Sequence, residues 1–545
     1  MSTFSFGAPI STAEDVEQAA RKITCKIQEE LRAATKAVPQ VHRKDTLPRR
    51  LLDRLHEKRE LRKLWARTRC PRVKTKLNRL KDELSAAIKA YRGEGWERRI
   101  EQASESQTSL HHLNRQLSRT SQPICPLVGS DGRKHAAAQD RADILAEHLE
   151  GQFVANTSAP GAIAFHQEVE RHIQVFLSEP VPRLDGGLFI TPAEVRRAAS
   201  HLALRKAPGT DGITTLAIRQ LPKRGLVTLC RLYNGVLRTA HFPSEWKTGK
   251  IIVLPKPGKD RRLPESYRPI TLLPHVAKLF ERLLLRRIVP CIELRRGQFG
   301  FRSGHSTTAQ LARVLHYLAA QYNRGRICLG VLLDMEKAFD RVWHEGLLHK
   351  LLENTTTHRA LVRLVASFLR DRKFVVHVEG ADSAVRCIKA GVPQGSCLSP
   401  HLYAVYTDDI PTLEQNASDW DEDVLLALYA DDSAFFTSSH NAAFAARKMQ
   451  RQLDLLPEWL DRWRMSVNVD KTSAIFIRHI KHQPTLELRG QAITNQDTIR
   501  YLGCRIDRSL SMAPQVEHSV RQARAARAVL YPILASKLPV KTGRL

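Results

Sequence analysis

Two adjacent carboxylates, Asp431 and Asp432, stand between two apolar runs, Val424–Tyr429 and Ser433–Phe436. Such a break fits an antiparallel hairpin with the acids at its tip. Turns often contain Asp, so the pair alone is most simply a solvated turn. A second run narrows the choice. Cys328–Leu333 is apolar throughout and ends on Asp334. A strand end is a rigid place to hold a metal ligand. Side by side in one sheet, the two strands would bring Asp334 and Asp431 close enough to share divalent ions. Their mutual repulsion is unfavourable without a cation. Mg²⁺ suits the site, because it takes oxygen ligands and is held by few carboxylates plus substrate phosphates. Two such ions can activate a 3′-hydroxyl and stabilise a departing pyrophosphate. Asp334 and Asp431 are expected to bridge them, Asp432 to be an auxiliary acid, and the Met335 carbonyl to help hold the nucleotide metal.

The flanking pattern is that of an α+β or mixed α/β domain around a central sheet, and most of residues 225–507 belongs to it. Strands are expected at Lys250–Leu254, Tyr267–Leu273, Ile327–Asp334, Phe374–Val378, Val424–Tyr429, Ser433–Thr437, Ile475–Ile477 and Thr485–Leu488. Helices are expected at Val276–Ile288, Thr307–Tyr322, Trp343–Leu352, Pro400–Tyr406 and, as one long element covering the sheet, Ala442–Trp463. Upstream, residues 11–38 read as a helix capped by Ser11 or Thr12. A helical stretch runs from Ala137 to Phe153, and one short helix is expected within 155–187. Thr191-Pro192-Ala193-Glu194 is a helix start with cap, proline and acid in order. Residues 101–135 read as a linker or long loop.

Charge bears on partners. The 545 residues hold 86 Lys and Arg against 56 Asp and Glu, a formal net charge of +30. That favours a polyanion partner over a free-standing metabolic enzyme, with an anionic membrane as the rival. No apolar run approaches the roughly 18 residues of a spanning helix, and the N-terminus lacks the basic start and apolar core of a secretory signal. The nine cysteines are scattered without a CxxC pair, which points to a reducing compartment without a disulfide framework or zinc knuckle. The excess is concentrated: Arg43 to Arg99 holds 20 Lys or Arg and 8 Asp or Glu. Leu51, Leu52, Leu55, Leu61, Leu64 and Trp65 recur there at helical spacing, and a second helix follows Pro71. Two readings stay open, a solvated helical hairpin and an arm that grips phosphates.

Several motifs in order resemble the reverse transcriptases of non-LTR retrotransposons, the Jockey-like group in particular. Tyr429-Ala-Asp-Asp432 resembles their hallmark, and Asp334–Phe339 their first aspartate motif. Gly391-Val-Pro-Gln-Gly-Ser-Cys-Leu-Ser-Pro400 is similar to the nucleotide and template motif. Leu254-Pro-Lys-Pro-Gly and Ser266–Leu273 look like the fingers, while Phe299–Thr307 and Lys206–Ile213 resemble segments special to non-LTR elements. The likeness covers residues 190–507 well and extends loosely upstream.

The resemblance implies a right-hand polymerase: fingers and palm with a central antiparallel sheet packed on helices, a partial thumb, and a basic N-terminal helical extension. It implies a division into 1–125 (basic extension and linker), 126–224 (helical lead into the fingers), 225–507 (fingers and palm) and 508–545 (a truncated thumb). It implies RNA-directed DNA polymerase activity on an RNA template, a DNA primer and dNTPs, with two Mg²⁺ ions and Mn²⁺ as a substitute. Element RNA would be a further partner, and membrane would not. Asp334, Asp431 and Asp432 match the catalytic carboxylates. Lys256 and Arg268 match residues on the incoming triphosphate; by themselves they read as surface charge beside turns. Phe339 matches the steric gate against a 2′-hydroxyl, or is core. Gly391 and Gln394 match the loop at the template and nascent pair, otherwise merely a turn. Lys471 matches a lysine near the triphosphate and a general acid for pyrophosphate, or is a solvated loop lysine. Tyr501 and Gly503, in Tyr-Leu-Gly, resemble the primer-grip hairpin, and Tyr501 is equally a core candidate.

Compared with a complete Jockey-like protein, an endonuclease segment, part of the thumb and a CCHC cluster are expected to be missing. The alternative function is therefore an inactive or co-opted remnant that only binds RNA or DNA. The compartment reads as nucleus, cytoplasm or both, without secretion. A second acidic pair, Asp408-Asp409, follows a helical stretch and is not assigned to metals. The acidic run Asp419–Asp423 is expected to be a solvated loop.

Overall fold

The computed structural model describes residues 9–35, 47–104, 125–413 and 424–534. The acidic run 419–423 and much of the expected linker lie outside them. Among the described residues no helix is long and apolar enough to cross a membrane, and all nine cysteines are free. The chain divides into two bodies, one of residues 1–35 and 124–515, the other of 36–123 and 516–545.

The smaller body contains a hairpin of α2 (Arg49–Thr68) and α3 (Pro71–Ser104). Arg69 in the left-handed region closes α2, and Pro71 opens α3 where its missing N–H costs nothing. Leu51, Leu80 and Leu84 are buried, and Arg54 pairs with Glu83 at 2.6 Å. Most of the other described basic side chains of this hairpin are exposed.

In the larger body, α1 (Ala13–Ala34) is capped by Thr12 in a reciprocal box with Asp15. It buries Val16, Ile23 and Ile27, and its Glu17 accepts from His241 at 2.8 Å. A small ladder, β1 (Leu127–Val128) with β2 (Lys134–His135), precedes α4 (Ala138–Gln152). Next come α5 (Ile163–Ser178), α6 (Pro192–Ser200) with the expected Thr191–Glu194 box, α7 (Thr215–Arg219) and α8 (Lys223–Thr239). At 16 residues, α5 is a full helix rather than a short one. Val169, Ile173 and Phe176 give it a buried face through a proline-rich region.

One central sheet was expected; there are two main sheets. The first has the order β4-β3-β6-β7, with β8 also on β6. Its members are β3 (Thr248–Pro255), β4 (Tyr267–Leu272), β6 (Arg372–Val378), β7 (Ala381–Asp382) and β8 (Arg386–Ile388). β3 pairs antiparallel with β4 and parallel with β6. Helix α4 covers this sheet through Leu145, Ala146 and Leu149, and Phe153 meets Phe374 edge-on at 5.4 Å.

The second sheet carries the acids, in the order β12-β13-β11-β5-β10-β9. It comprises β5 (Ile327–Asp334), β9 (Val424–Tyr429), β10 (Asp432–Ser439), β11 (Ser473–Ile477), β12 (Leu486–Leu488) and β13 (Gln491–Asn495). Both faces are buried. Leu329, Val331, Phe435, Ala474 and Phe476 join the main core, while Cys328, Ala434, Phe436, Ile475 and Ile477 join a second one. Strand side chains alternate, so burial on both faces produces continuous apolar runs.

Around these sheets lie α9 (His275–Ile288), α10 (Thr307–Asn323), α11 (His344–Glu353), α12 (Arg359–Leu369) and α13 (Ser399–Thr407). Helix α12 was missed by the sequence reading although Arg359, Arg363 and Ser367 recur at helical spacing in an otherwise apolar segment; nine of its 11 residues are buried. The expected single helix Ala442–Trp463 is two, α14 (Ala442–Asp454) and α15 (Leu456–Arg462). Pro457 has no N–H and its ring crowds the preceding turn, so the helix restarts at Leu456. A last hairpin, β14 (Thr498–Tyr501) and β15 (Cys504–Asp507), turns through Leu502 and Gly503, both at positive φ. Helix α16 (Ala513–Leu534) follows.

Candidate active site

Antiparallel pairing of β10 with β5 sets Asp432 directly opposite Asp334. Cross-strand partners place their Cβ atoms about 4.5–5.5 Å apart, and like charges there repel. Asp431 sits beside them in the two-residue turn from β9 to β10, because Tyr429 pairs with Asp432. Ala430, its neighbour in that turn, holds φ at +59°, a left-handed conformation that favours glycine. The strain is held from outside. Phe299 donates its N–H to the Leu428 carbonyl at 2.9 Å, and Leu428 donates back to Gly297 at 3.0 Å. Residues 297–300 thus brace the hairpin.

Loss of hydration among the surrounding protein atoms pushes the Asp432 carboxyl up to about 6, and the charges of Asp431 and Asp334 push the same way. Lys471 reaches Asp334 at 3.4 Å, both side chains open to solvent. Its loop is tied down by Asn468, whose N–H donates to the Asp334 carbonyl at 2.9 Å.

A cleft of about 710 Å³ opens beside these carboxylates. Asp334, Met335, Asp431 and Lys471 line it, together with Lys256, Arg268, Phe339 and Gln394. Lys256 stands at the end of β3 and Arg268 on β4, which pair strand to strand. Burial draws the Lys256 ammonium below its ordinary value, and the Arg268 charge adds to this. Phe339 stacks on Tyr403 at 4.5 Å and meets Phe301 edge-on at 6.2 Å. It is half-buried, part core and part wall.

The Gly391–Gln394 loop is wedged between segments. Gly391 donates to the Val342 carbonyl, Val392 to that of Phe339, and Thr271 to that of Gln394, at 2.8, 2.8 and 2.9 Å. At Gly391 φ is +90°, and a Cβ would stand 2.5 Å from the Asp340 carbonyl oxygen. Both facts demand glycine.

Asp432, Gly391, Tyr501 and Gly503 are not among the cleft-lining residues. Tyr501 is buried, donates its hydroxyl to the Ala427 carbonyl at 3.4 Å, and packs edge-on to Phe436. The second acidic pair has local partners. Asp409 accepts from the buried Lys350 at 2.5 Å and from Trp459 at 3.1 Å, and Asp408 accepts the Arg295 N–H. Burial lowers the Lys350 ammonium to about 8. Elsewhere His172, His349 and Glu353 gather their ligand atoms within 4.8 Å and could hold a metal ion. They do not line the cleft, and burial, helped by the neighbouring His172, holds the His349 imidazole below its ordinary value.

Sequence reasoning missed Gln152 and Asp340 on the cleft wall. Asp340 directly follows Phe339 in the first aspartate motif and was within reach of the sequence. Gln152 carries no local signal.

The family described as reverse transcriptase (RNA-dependent DNA polymerase) matches residues 254–506. The RNA-directed DNA polymerase from mobile element jockey of Drosophila melanogaster is 31% identical over 98% of this chain and 59% of its own length. The probable RNA-directed DNA polymerase from transposon X-element of the same species is 32% identical over the same shares. The jockey enzyme of Drosophila funebris is 32% identical over 85% of this chain and 51% of its own. The chain thus spans little more than half the length of these curated relatives. By the matched segment and by these similarities, it belongs to the Jockey-like reverse transcriptases of non-LTR retrotransposons.

Proposed function

We propose that this chain is an RNA-directed DNA polymerase that adds deoxynucleotides to a primer 3′-hydroxyl on an RNA template. The observation that carries this reading is the pairing of Asp334 with Asp432, with Asp431 in the adjoining turn, at the mouth of a cleft that Lys256, Arg268 and Lys471 also line. In this reading the sheet of β5, β9, β10 and β11 is the palm, and the β3–β4 hairpin belongs to the fingers. Residues 225–507 form the fingers and palm, 126–224 lead into them, 508–545 belong to the thumb, and 1–125 form a basic extension.

The donor set fits Mg²⁺: three hard carboxylates, one held up to about 6 partly by the charge of the others. Asp334, Asp431 and Asp432, with the Met335 carbonyl, would hold two ions, and Mn²⁺ would substitute. When bound, the metal supplies charge neutralisation and lowers the pKa of the attacking hydroxyl. Lys256 and Arg268 bind the triphosphate, Arg through its rigid donor fork. Gln394 and Gly391 meet the nascent base pair. The Lys471 ammonium gives a proton to the leaving pyrophosphate oxygen, and the hairpin bearing Tyr501 and Gly503 supports the primer end. RNA is held mainly through its backbone by basic side chains.

The test is primer extension by the full chain on an RNA template with dNTPs. Binding without extension at any Mg²⁺ or Mn²⁺ level would leave a nucleic-acid-binding remnant instead.

Two outcomes follow from the cleft. Phe339→Ala opens the wall where a 2′-hydroxyl would lie. Discrimination for dNTP over rNTP is expected to fall about 10- to 100-fold, read as the ratio of kcat/KM values. The second concerns pH. The Asp432 carboxyl is raised from 3.8 to about 6, so its neutral form suits the fold. Stability from this group is present below its unfolded value and lost as pH rises through about 6. A divalent ion reverses that loss. Mg²⁺ should therefore raise the melting temperature by a few degrees at about pH 7.5 and by less at about pH 5, as calorimetry would show. An equal shift at both pH values would contradict it.

A further inference from the structure

We infer that Gln152 is a positioning residue for Gln394, acting through the carboxylate of Asp340. This deepens the polymerase reading and rests on it.

The network spans three elements. Asp340 is buried. One of its oxygens accepts from Gln394 Nε2 at 2.9 Å, and the other from Gln152 Nε2 at 2.6 Å. An ionised carboxylate only accepts, so it selects the NH₂ end of each amide. The carbonyl oxygen of Gln394 is thereby turned away from Asp340 and left for the cleft that Gln394 lines. Gln394 then meets the incoming deoxynucleotide as an acceptor for one of its donor groups.

Gln152 secures this choice. Remove its donor, and one buried carboxylate oxygen has no partner. Burial already pushes the Asp340 carboxyl up, against the two amides and the charges of Lys337 and Lys256. A protonated Asp340 would donate, and could then hold Gln394 by its carbonyl end, which presents the wrong group to the nucleotide.

The backbone leaves only that amide free to change. The loop is held by Gly391 on Val342, Val392 on Phe339 and Thr271 on Gln394. The end of α4 is held separately, since Lys389 and Ala390 donate to the Phe153 carbonyl at 3.1 and 3.0 Å. Gln152 lies outside the segment that matches the reverse transcriptase family, residues 254–506. Helix α4 thus contributes to nucleotide recognition from upstream.

The test is steady-state primer extension with three variants of the full chain: Gln152→Met, Gln394→Met and the double variant. Methionine keeps the length of glutamine and lacks its amide. Gln152→Met should raise the KM for dNTP about fivefold with kcat within about twofold. Gln394→Met should raise it about tenfold, and the double variant should be no worse than Gln394→Met, because no amide remains to orient. Misfolded protein lowers apparent kcat but not KM, so the split separates positioning from poor folding; Gln152→Leu repeats the test with a different side chain. An unchanged KM in both Gln152 variants, or effects that multiply in the double variant, overturns the inference while an active wild type upholds the polymerase. A wild-type chain that extends no primer overturns both.

Discussion

Asp334→Asn is expected to cut primer extension about a thousandfold or more, while the protein melts no earlier than the wild type. The two effects have one cause. Asp334 stands opposite Asp432 and beside Asp431, and its charge helps hold the Asp432 carboxyl up to about 6. Removing it relieves repulsion, so the metal-free fold loses nothing by the change. The lost pairing with Lys471 at 3.4 Å is solvent-exposed and contributes little. The same charge is what would neutralise the metal and orient the 3′-hydroxyl, and several kcal/mol of transition-state stabilisation are about three or more decades of rate. Stability and activity moving in opposite directions is the signature of a strained functional site. Single-turnover extension and thermal melting read the two quantities. Activity within about tenfold of wild type would remove Asp334 from the chemistry.

Gly300→Ala should cost on the order of a hundredfold in extension although residue 300 bears no reacting group. A Cβ there would lie 2.3 Å from the Ala430 backbone N and 3.0 Å from the Tyr429 carbonyl carbon. Neither is the end of a flexible side chain, so the backbone itself must move. The turn that moves is the one presenting Asp431, already strained at Ala430. Forcing an extra methyl into such a contact costs about 1–3 kcal/mol of stability. A displacement near 1 Å at a catalytic group costs about 10²-fold in rate. The expected pattern is a large fall in kcat, a modest fall in melting temperature and nearly unchanged RNA affinity. Equal loss of binding and rate would point to general unfolding instead.

Much of the acid-bearing sheet was legible in the chain. Ile327–Asp334 and Val424–Tyr429 were read with the bounds they have, because strands buried on both faces announce themselves as unbroken apolar runs. The Thr191–Glu194 box was legible because capping is local chemistry. The failures have equally physical causes. Strand β13, Gln491–Asn495, is mostly polar and gains its place by pairing with β11 and β12. The break at Pro457 was overlooked because apolar residues continue through it at helical spacing. The second sheet went unforeseen because β3 pairs with β6 across more than a hundred residues.

The sequence by itself singled out the aspartates, as acids breaking or ending apolar runs, while Lys256, Arg268, Phe339, Gln394 and Lys471 stood out only because their motifs resemble those of reverse transcriptases. Tertiary structure decided which of them meet. Asp334 and Asp432 became partners through the register of two strands about a hundred residues apart. Gln152 reached Asp340 across 188 residues because α4 packs on a different sheet. Turn, cap and strand signals are written within a few residues, where local sterics and hydrogen bonds act. Register and side-chain contact depend on how buried faces fill space together, and that is a property of the whole packed body.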